Sequence, residues 1–275
     1  MRTMRRWEME GIGRDRLALR ERPIPVPGRH EVLVAVGAVA LNHRDKMVIE
    51  SGRGLPLSFP FIPGSDLAGR IVAMGEDAER FAIGDRVISC FTPDWVDGLR
   101  AGTARTPLYR TLGGFFAGVL ADYVVLPDHW LVAAPATLDD AQASTLPCAA
   151  LTAWFALVER GRIRAGDTVL IRGTGGVALF ALQFAKMHGA TAILSCSPEK
   201  KTAHGRWART TSSTGIGPMG STRCMRSPTI TAQTISWKPS AAPISDCPPR
   251  RRPSAVASIR SARSTVSTCR RPPCR

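Results

Sequence analysis

The chain has 275 residues, 44% of them hydrophobic, and a formal net charge of +15, enough for two domains and a sizeable core. Its basicity sits at one end: residues 201–275 hold 14 Lys and Arg against one acid, whereas residues 1–200 hold 23 basic and 21 acidic residues. A nearly neutral first part excludes a polyanion binder built over the whole chain, and the basic part needs its own explanation.

At the start, Met1-Arg-Thr-Met-Arg-Arg is basic, but Trp7-Glu-Met-Glu stands where a secretory leader needs an apolar segment, so no leader is expected. No apolar run is expected to span a membrane. The seven cysteines show no close-spaced framework, which suits reduced thiols in a cytoplasmic protein. The next stretch reads as β. Residues 31–40 (EVLVAVGAVA), 69–73 and 85–89 are strand-like, with turns punctuated at Pro27-Gly28, Pro63-Gly64 and Gly84-Asp85. Many short strands with such turns predict a small barrel. A glycine-rich segment, Leu112-Gly-Gly-Phe-Phe-Ala-Gly118, is followed by a strand-like run at 120–126 and an apolar helix from about Ala141 to Val158.

The most informative stretch comes next. Thr168-Val-Leu-Ile171 reads as a buried parallel strand and runs into Gly173-Thr-Gly-Gly-Val-Ala178. Apolar residues then recur at Val177, Phe180, Ala181, Phe184 and Ala185, the spacing of one helix face, and Thr191 to Ser195 forms a second strand. Strand, glycine turn, helix and strand in this order form a dinucleotide-binding unit. Gly173, Thr174, Gly175, Gly176 and Val177 are its candidate phosphate-binding residues, and Ala178 lets helix and strand pack closely. An NAD site usually carries Asp or Glu at the end of the second strand, to accept from the ribose 2′-hydroxyl. Ser195, Cys196 and Ser197 stand there instead, with Glu199, Lys200 and Lys201 just beyond. Ser195, Ser197 and Lys200 suit a 2′-phosphate, so NADP (NADPH) is expected, the other reading of the lysines being solvated surface.

In unbroken order over about residues 15–200, the chain resembles the medium-chain dehydrogenase/reductase superfamily. The residues that carry this are Leu41-Asn-His-Arg-Asp45, Pro63-Gly-Ser-Asp-Leu-Ala-Gly69, Phe81-Ala-Ile-Gly-Asp-Arg-Val87, Ala121-Asp-Tyr-Val124, Leu146-Pro-Cys-Ala-Ala-Leu-Thr-Ala-Trp154 and the glycine turn. The resemblance implies an α/β protein: a GroES-like β-barrel domain over 1–125, then a Rossmann domain, incomplete here, over 126–200. Zinc enzymes of the superfamily draw ligands from Cys-His and Gly-His-Glu segments and a later Cys. This chain has Asn42-His43, Gly64-Ser65-Asp66 and only Cys148, and one soft ligand cannot hold a catalytic zinc. His43 reads as a surface or structural histidine, so no metal is expected.

The resemblance then points to the zinc-free branch, similar to NADPH:quinone oxidoreductases, acting on a small carbonyl or quinone substrate. It implies catalytic-side roles for Asn42, a polar group near the nicotinamide, and for Asp45, which can equally cap a helix. It places Thr152 against the nicotinamide, and it implies homo-oligomers.

After Lys201 the composition changes. Residues 201–275 contain no Leu, Phe, Tyr or Glu but 22 Ser and Thr and nine Pro, and such a segment is expected to be irregular. One reading is that the tail is family sequence in a shifted frame, the shift lying between about Lys200 and Ala203. Trp207 to Thr214 can then give Leu-Gly-Ala-Asp-His-Val-Ile-Asn, its Gly forced by Trp207 and Ala208. Thr231 to Ala242 can give His-Gly-Ala-Asp-His-Ile-Leu-Glu-Ala-Val-Gly-Gly, its Glu forced by Trp237 and Lys238. The competing reading is a genuine basic extension that binds nucleic acid, which the scattered arginines and missing motif disfavour.

Overall fold

The computed structural model describes residues 2–95 and 110–195, and the backbone of 209–210, 258–261 and 264–269. The chain divides into two compact units between Cys148 and Ala149.

In the first unit, β1 (Thr3–Met9) pairs antiparallel with β2 (Leu17–Pro23). The strands β3 (Glu31–Ala40), β4 (Asp66–Met74), β5 (Arg86–Ser89), β6 (Tyr123–Pro127) and β7 (Leu131–Ala133) form an antiparallel sheet in the order β6-β3-β4-β5-β7. The β-branched run of β3 favours a pleated, half-buried surface, and its register on β4 shifts at Leu33/Val34 and at Val36/Ala38. Val32, Val34, Leu67, Ile71, Val87, Leu112 and Leu131 are wholly buried in one core, and each such side chain contributes roughly 1.5–3 kcal/mol. Between β3 and β4 lies α1 (His43–Ser51), a helix that hydrophobic spacing had not marked because only Asp45 and Val48 on it are buried.

The first unit thus extends past residue 125, where the sequence boundary was expected. The reason is pairing: β6 lies along β3 and β7 along β5, so this segment completes the first sheet.

The helical stretch that follows opens with α2 (Asp140–Ala143), capped by Asp139, whose carboxylate accepts from the Gln142 N–H at 2.7 Å. It continues through Leu146–Ala150, α3 (Leu151–Trp154) and Phe155–Arg160. Asp140–Arg160 is long and apolar enough to cross a membrane by length and composition, contrary to the expectation that no run would be. Its Ala153 and Leu157 are nevertheless wholly buried with Val169, Ile171 and Leu182, as in a core helix.

In the second unit β8 (Thr168–Arg172), α4 (Gly176–Met187) and β9 (Thr191–Ser195) follow the predicted order, with β8 and β9 parallel. Ala178, Ala181, Leu182 and Ala185 form the buried face of α4, so the small residue at 178 does let helix and strand approach. The tail, expected to be irregular, contributes three short strands: β10 (Arg209–Thr210), β11 (Ser258–Ser261) and β12 (Ser264–Cys269). They complete a sheet in the order β10-β9-β8-β12-β11, in which β10 is parallel to β9 but β12 is antiparallel to β8.

Candidate active site

Two groups of candidate residues emerge, one in each unit. In the first, Asn42 is the N-cap of α1, and the Asp45 carboxylate accepts from the Asn42 backbone N–H at 2.7 Å. Asp45 is 2% exposed and its other oxygen takes Arg44 Nη1 at 3.2 Å. Burial pushes its pKa up, opposed by the Asn42 N–H and the Arg44 charge. The carboxylate is therefore engaged in holding the helix end. Arg44 in turn donates to Thr111 Oγ1 at 2.7 Å and to the Leu112 carbonyl at 3.1 Å, and its guanidinium lies over the Phe91 ring. Burial lowers its pKa from the usual guanidinium value, and Asp45 opposes that. His43 is exposed.

Asp66, at the start of β4, is wholly buried. Its Oδ1 accepts from the Ser65 hydroxyl at 2.5 Å and its Oδ2 from the Cys148 backbone N–H at 3.0 Å. Burial pushes this acid up to about 6. Ser89, also buried, donates to the Ser65 carbonyl at 2.8 Å and accepts from the Leu67 N–H, bracing the turn from behind. Asn42 Nδ2 is buried and meets no hydrogen-bond partner in regular geometry, yet it comes near enough to Asp66 to favour the charged carboxylate. Beside these residues a pocket of about 400 Å³ is lined by Leu17, Leu41, Ile49, Asn42, Arg14 and Lys46.

Among the described residues no three of His, Cys, Asp and Glu converge on one point, and both oxygens of Asp66 already accept from protein donors.

The second group surrounds the glycine turn. Gly173 has φ 89°, a conformation that favours glycine, and its N–H donates to the Ser195 carbonyl at 2.8 Å. Thr174 is half-buried and Gly175 and Gly176 are exposed. Gly175 is the N-cap of α4, its carbonyl accepting from the Leu179 N–H at 3.0 Å. Val177 packs against the core. A Cβ on Gly176 would lie 3.4 Å from that of Ala149, so the start of α4 abuts the segment that leads into α3. Thr152, three residues on from Ala149, is half-buried on α3. The turn and Ser195 thus meet at the end of β8, and Ser197 and Lys200 lie outside the described residues.

Sequence reasoning missed Arg44 and Asp66. Asp66 stood in a quoted motif, but only as a missing zinc ligand; its burial and its bond to Cys148 are tertiary facts.

Residues 28–136 match the family model of the alcohol dehydrogenase GroES-like domain. A zinc-type alcohol dehydrogenase-like protein of Schizosaccharomyces pombe is 42% identical over 194 residues, covering 69% of this chain and 55% of that protein. Human quinone oxidoreductase is 30% identical over 178 residues, covering 64% and 47%. A solved structure from Sinorhizobium meliloti 1021, assigned to the alcohol dehydrogenases, is 55% identical with a TM-score of 0.73, covering 76% of this chain and 62% of that one. The chain spans about half the length of the curated relatives it matches. With the GroES-like sheet, the glycine turn between parallel strands and these likenesses together, the chain belongs to the medium-chain dehydrogenase/reductase superfamily, a family of oxidoreductases.

Proposed function

We propose that residues 2–195 carry the apparatus of an NADPH-dependent, zinc-independent oxidoreductase that passes hydride to a quinone, an enone or a related carbonyl compound. The observation that carries this reading is the turn at Gly173–Gly176, with its positive-φ glycine, its bond to Ser195 and the exposed N-terminus of α4. A bound nicotinamide cofactor supplies the hydride. The first N–H groups of α4 and the positive end of its dipole would hold its pyrophosphate. Ser195, followed in sequence by Ser197 and Lys200 with no acid before Glu199, supports NADPH over NADH. The family resemblance assigns Thr152 a place against the nicotinamide and Asn42 the role of a polar group near it. Asp45 acts through Asn42, by fixing the helix cap. The donor set at Asn42, Asp66 and Cys148 supports a reaction without a protein-bound zinc, the product taking its proton from solvent. The same reading makes the protein cytoplasmic and a homo-oligomer.

The test is NADPH oxidation by the purified full chain with a quinone or an enal. Turnover is expected to persist in chelator, to fall about tenfold with NADH and to vanish in Gly173→Val, where a β-branched residue cannot hold the positive φ. Inhibition by chelator would remove zinc independence, and equal rates with NADH would remove the cofactor preference. A second reading, a non-catalytic remnant of such an enzyme, is favoured by one observation: β12 runs antiparallel to β8, where the doubly wound order places a parallel strand. Under it the chain binds NADPH no better than about 1 mM, and no substrate is turned over.

A further inference from the structure

The roles given to Asn42 leave its buried, unpartnered Nδ2 unexplained, and an orphan of this kind in a folded core calls for a physical reason. Asp66 faces it. Two donors on different segments, the Ser65 hydroxyl and the Cys148 N–H, fix the carboxylate at both oxygens. Ser89, bonded to the Ser65 carbonyl, fixes the turn that carries it. With both carboxylate oxygens so engaged, the Asn42 amide is the polar group beside this acid whose Nδ2 lacks a partner among the described residues.

We propose that Asp66 is the positioning residue of the first unit's site: its carboxylate draws the Asn42 amide inward, and protonation of Asp66 releases that amide.

The charged and titratable groups around Asp66 set where the change falls. Asp45, on α1, opposes its ionisation. Arg44, also on α1, interacts electrostatically with Asp66, Asp45 and Cys148. Burial outweighs the donors, so Asp66 changes state near pH 6, whereas an exposed aspartate does so near about 4. Above that point the carboxylate, held by the Ser65 hydroxyl and the Cys148 N–H, attracts the Asn42 amide. Below it a proton occupies the acid and the amide loses its anion. The inference takes from the proposed function only the claim that Asn42 meets a ligand; the coupling to Asp66 belongs to the first unit alone.

Asn42 is the only asparagine in the 275 residues, so asparagine-selective 15N labelling of the full chain gives one side-chain NH2 signal. That signal is expected to shift in a single step centred near pH 6, and to show no such step in Asp66→Ala, which keeps Asn42 the only asparagine. Ser65→Ala removes a donor to the charged form and is expected to move the midpoint upward. A signal that does not move between about pH 4.5 and 8, or that moves identically in Asp66→Ala, overturns the proposal. Should Asp66→Ala fail to fold, an unchanged or lowered midpoint in Ser65→Ala overturns it instead. The readout needs neither cofactor nor turnover. An inactive chain that titrates leaves the coupling standing, and an active chain that does not titrate leaves the oxidoreductase reading standing.

Discussion

Glu8 and Asp66 are both carboxylates with almost no exposure, and their surroundings move them in opposite directions. At Glu8 burial pushes the pKa up, but hydrogen bonds from Arg6 and Arg22 outweigh it and hold the acid below its usual value; Arg22 Nη2 lies 2.8 Å from Oε2. Among the described residues no guanidinium bonds directly to Asp66, so burial wins there. The signs of the stability effects differ accordingly. The contribution of Glu8 is present above the unfolded value, about 4.3, and is lost as pH falls through the depressed folded value. Asp66 holds its proton more tightly when folded, so stability declines as pH rises from about 4 to 6. Glu8→Gln leaves two arginines facing a neutral amide. Both are partly exposed, which reduces the cost to about 1–3 kcal/mol at pH 7. The urea unfolding midpoint should show that loss at pH 7 and a much smaller difference between variant and wild type below about pH 4; an equal loss at both would mean packing, rather than charge, is what Glu8 supplies. Neither acid was legible in the sequence as an outlier. Glu8 reads as an ordinary polar position of a strand, and its partner Arg22 is identified only once β1 and β2 pair with Glu8 opposite Ala18.

At the scale of elements, local signals survived and non-local ones did not. The glycine turn and the apolar face of α4 lie within one short stretch, so spacing alone placed Ala181 and Ala185 in the core. The helix α1 is different: it is held mainly by its N-terminal polar arrangement. Asp45 secures the cap, and Arg44 reaches from the helix to Thr111 and Leu112, a contact no periodicity announces. Arg44 is thus the tie between the start of α1 and the glycine-rich segment. Its fork makes bonds to several acceptors in different directions, which the single ammonium of lysine cannot reproduce. Arg44→Ala is expected to cost about 3 kcal/mol by stranding the buried Asp45, and Arg44→Lys should recover less than half of that. Hydrogen exchange should show faster opening of the amides at Leu112, Gly114 and Phe116 in both variants; unchanged protection there would mean the tie is not made by Arg44.

For the molecule as a whole, the two-unit division was legible but its boundary was misplaced, because the strands after residue 121 return to pair with a sheet begun at Glu31. The tail poses the harder question. A doubly wound sheet binds its cofactor beyond the carboxyl ends of the strands, where the strand order reverses beside the first strand. In the frame as given, β12 occupies that flank of β8 with Thr265 opposite Arg172 and Cys269 opposite Thr168. It is therefore the beginning of β12, and not its end, that lies at the carboxyl end of β8, the reverse of what a parallel neighbour would place there. On the other flank β10 is parallel to β9, and it falls within the stretch that the shifted frame reads as Leu-Gly-Ala-Asp-His-Val-Ile-Asn. A chain re-read in the shifted frame from about residue 203 is expected to bind NADPH at least tenfold more tightly than the chain as given, about 1.4 kcal/mol, by calorimetric titration of the two proteins side by side. The nucleotide sequence across codons 195–210 should contain the inserted or missing base. Equal affinities would show that the turn at Gly173 and Ser195 is sufficient without a parallel fourth strand. The basic tail would then stand as a segment in its own right, and salt-dependent retention on DNA that disappears on deleting residues 201–275 would become the property to measure.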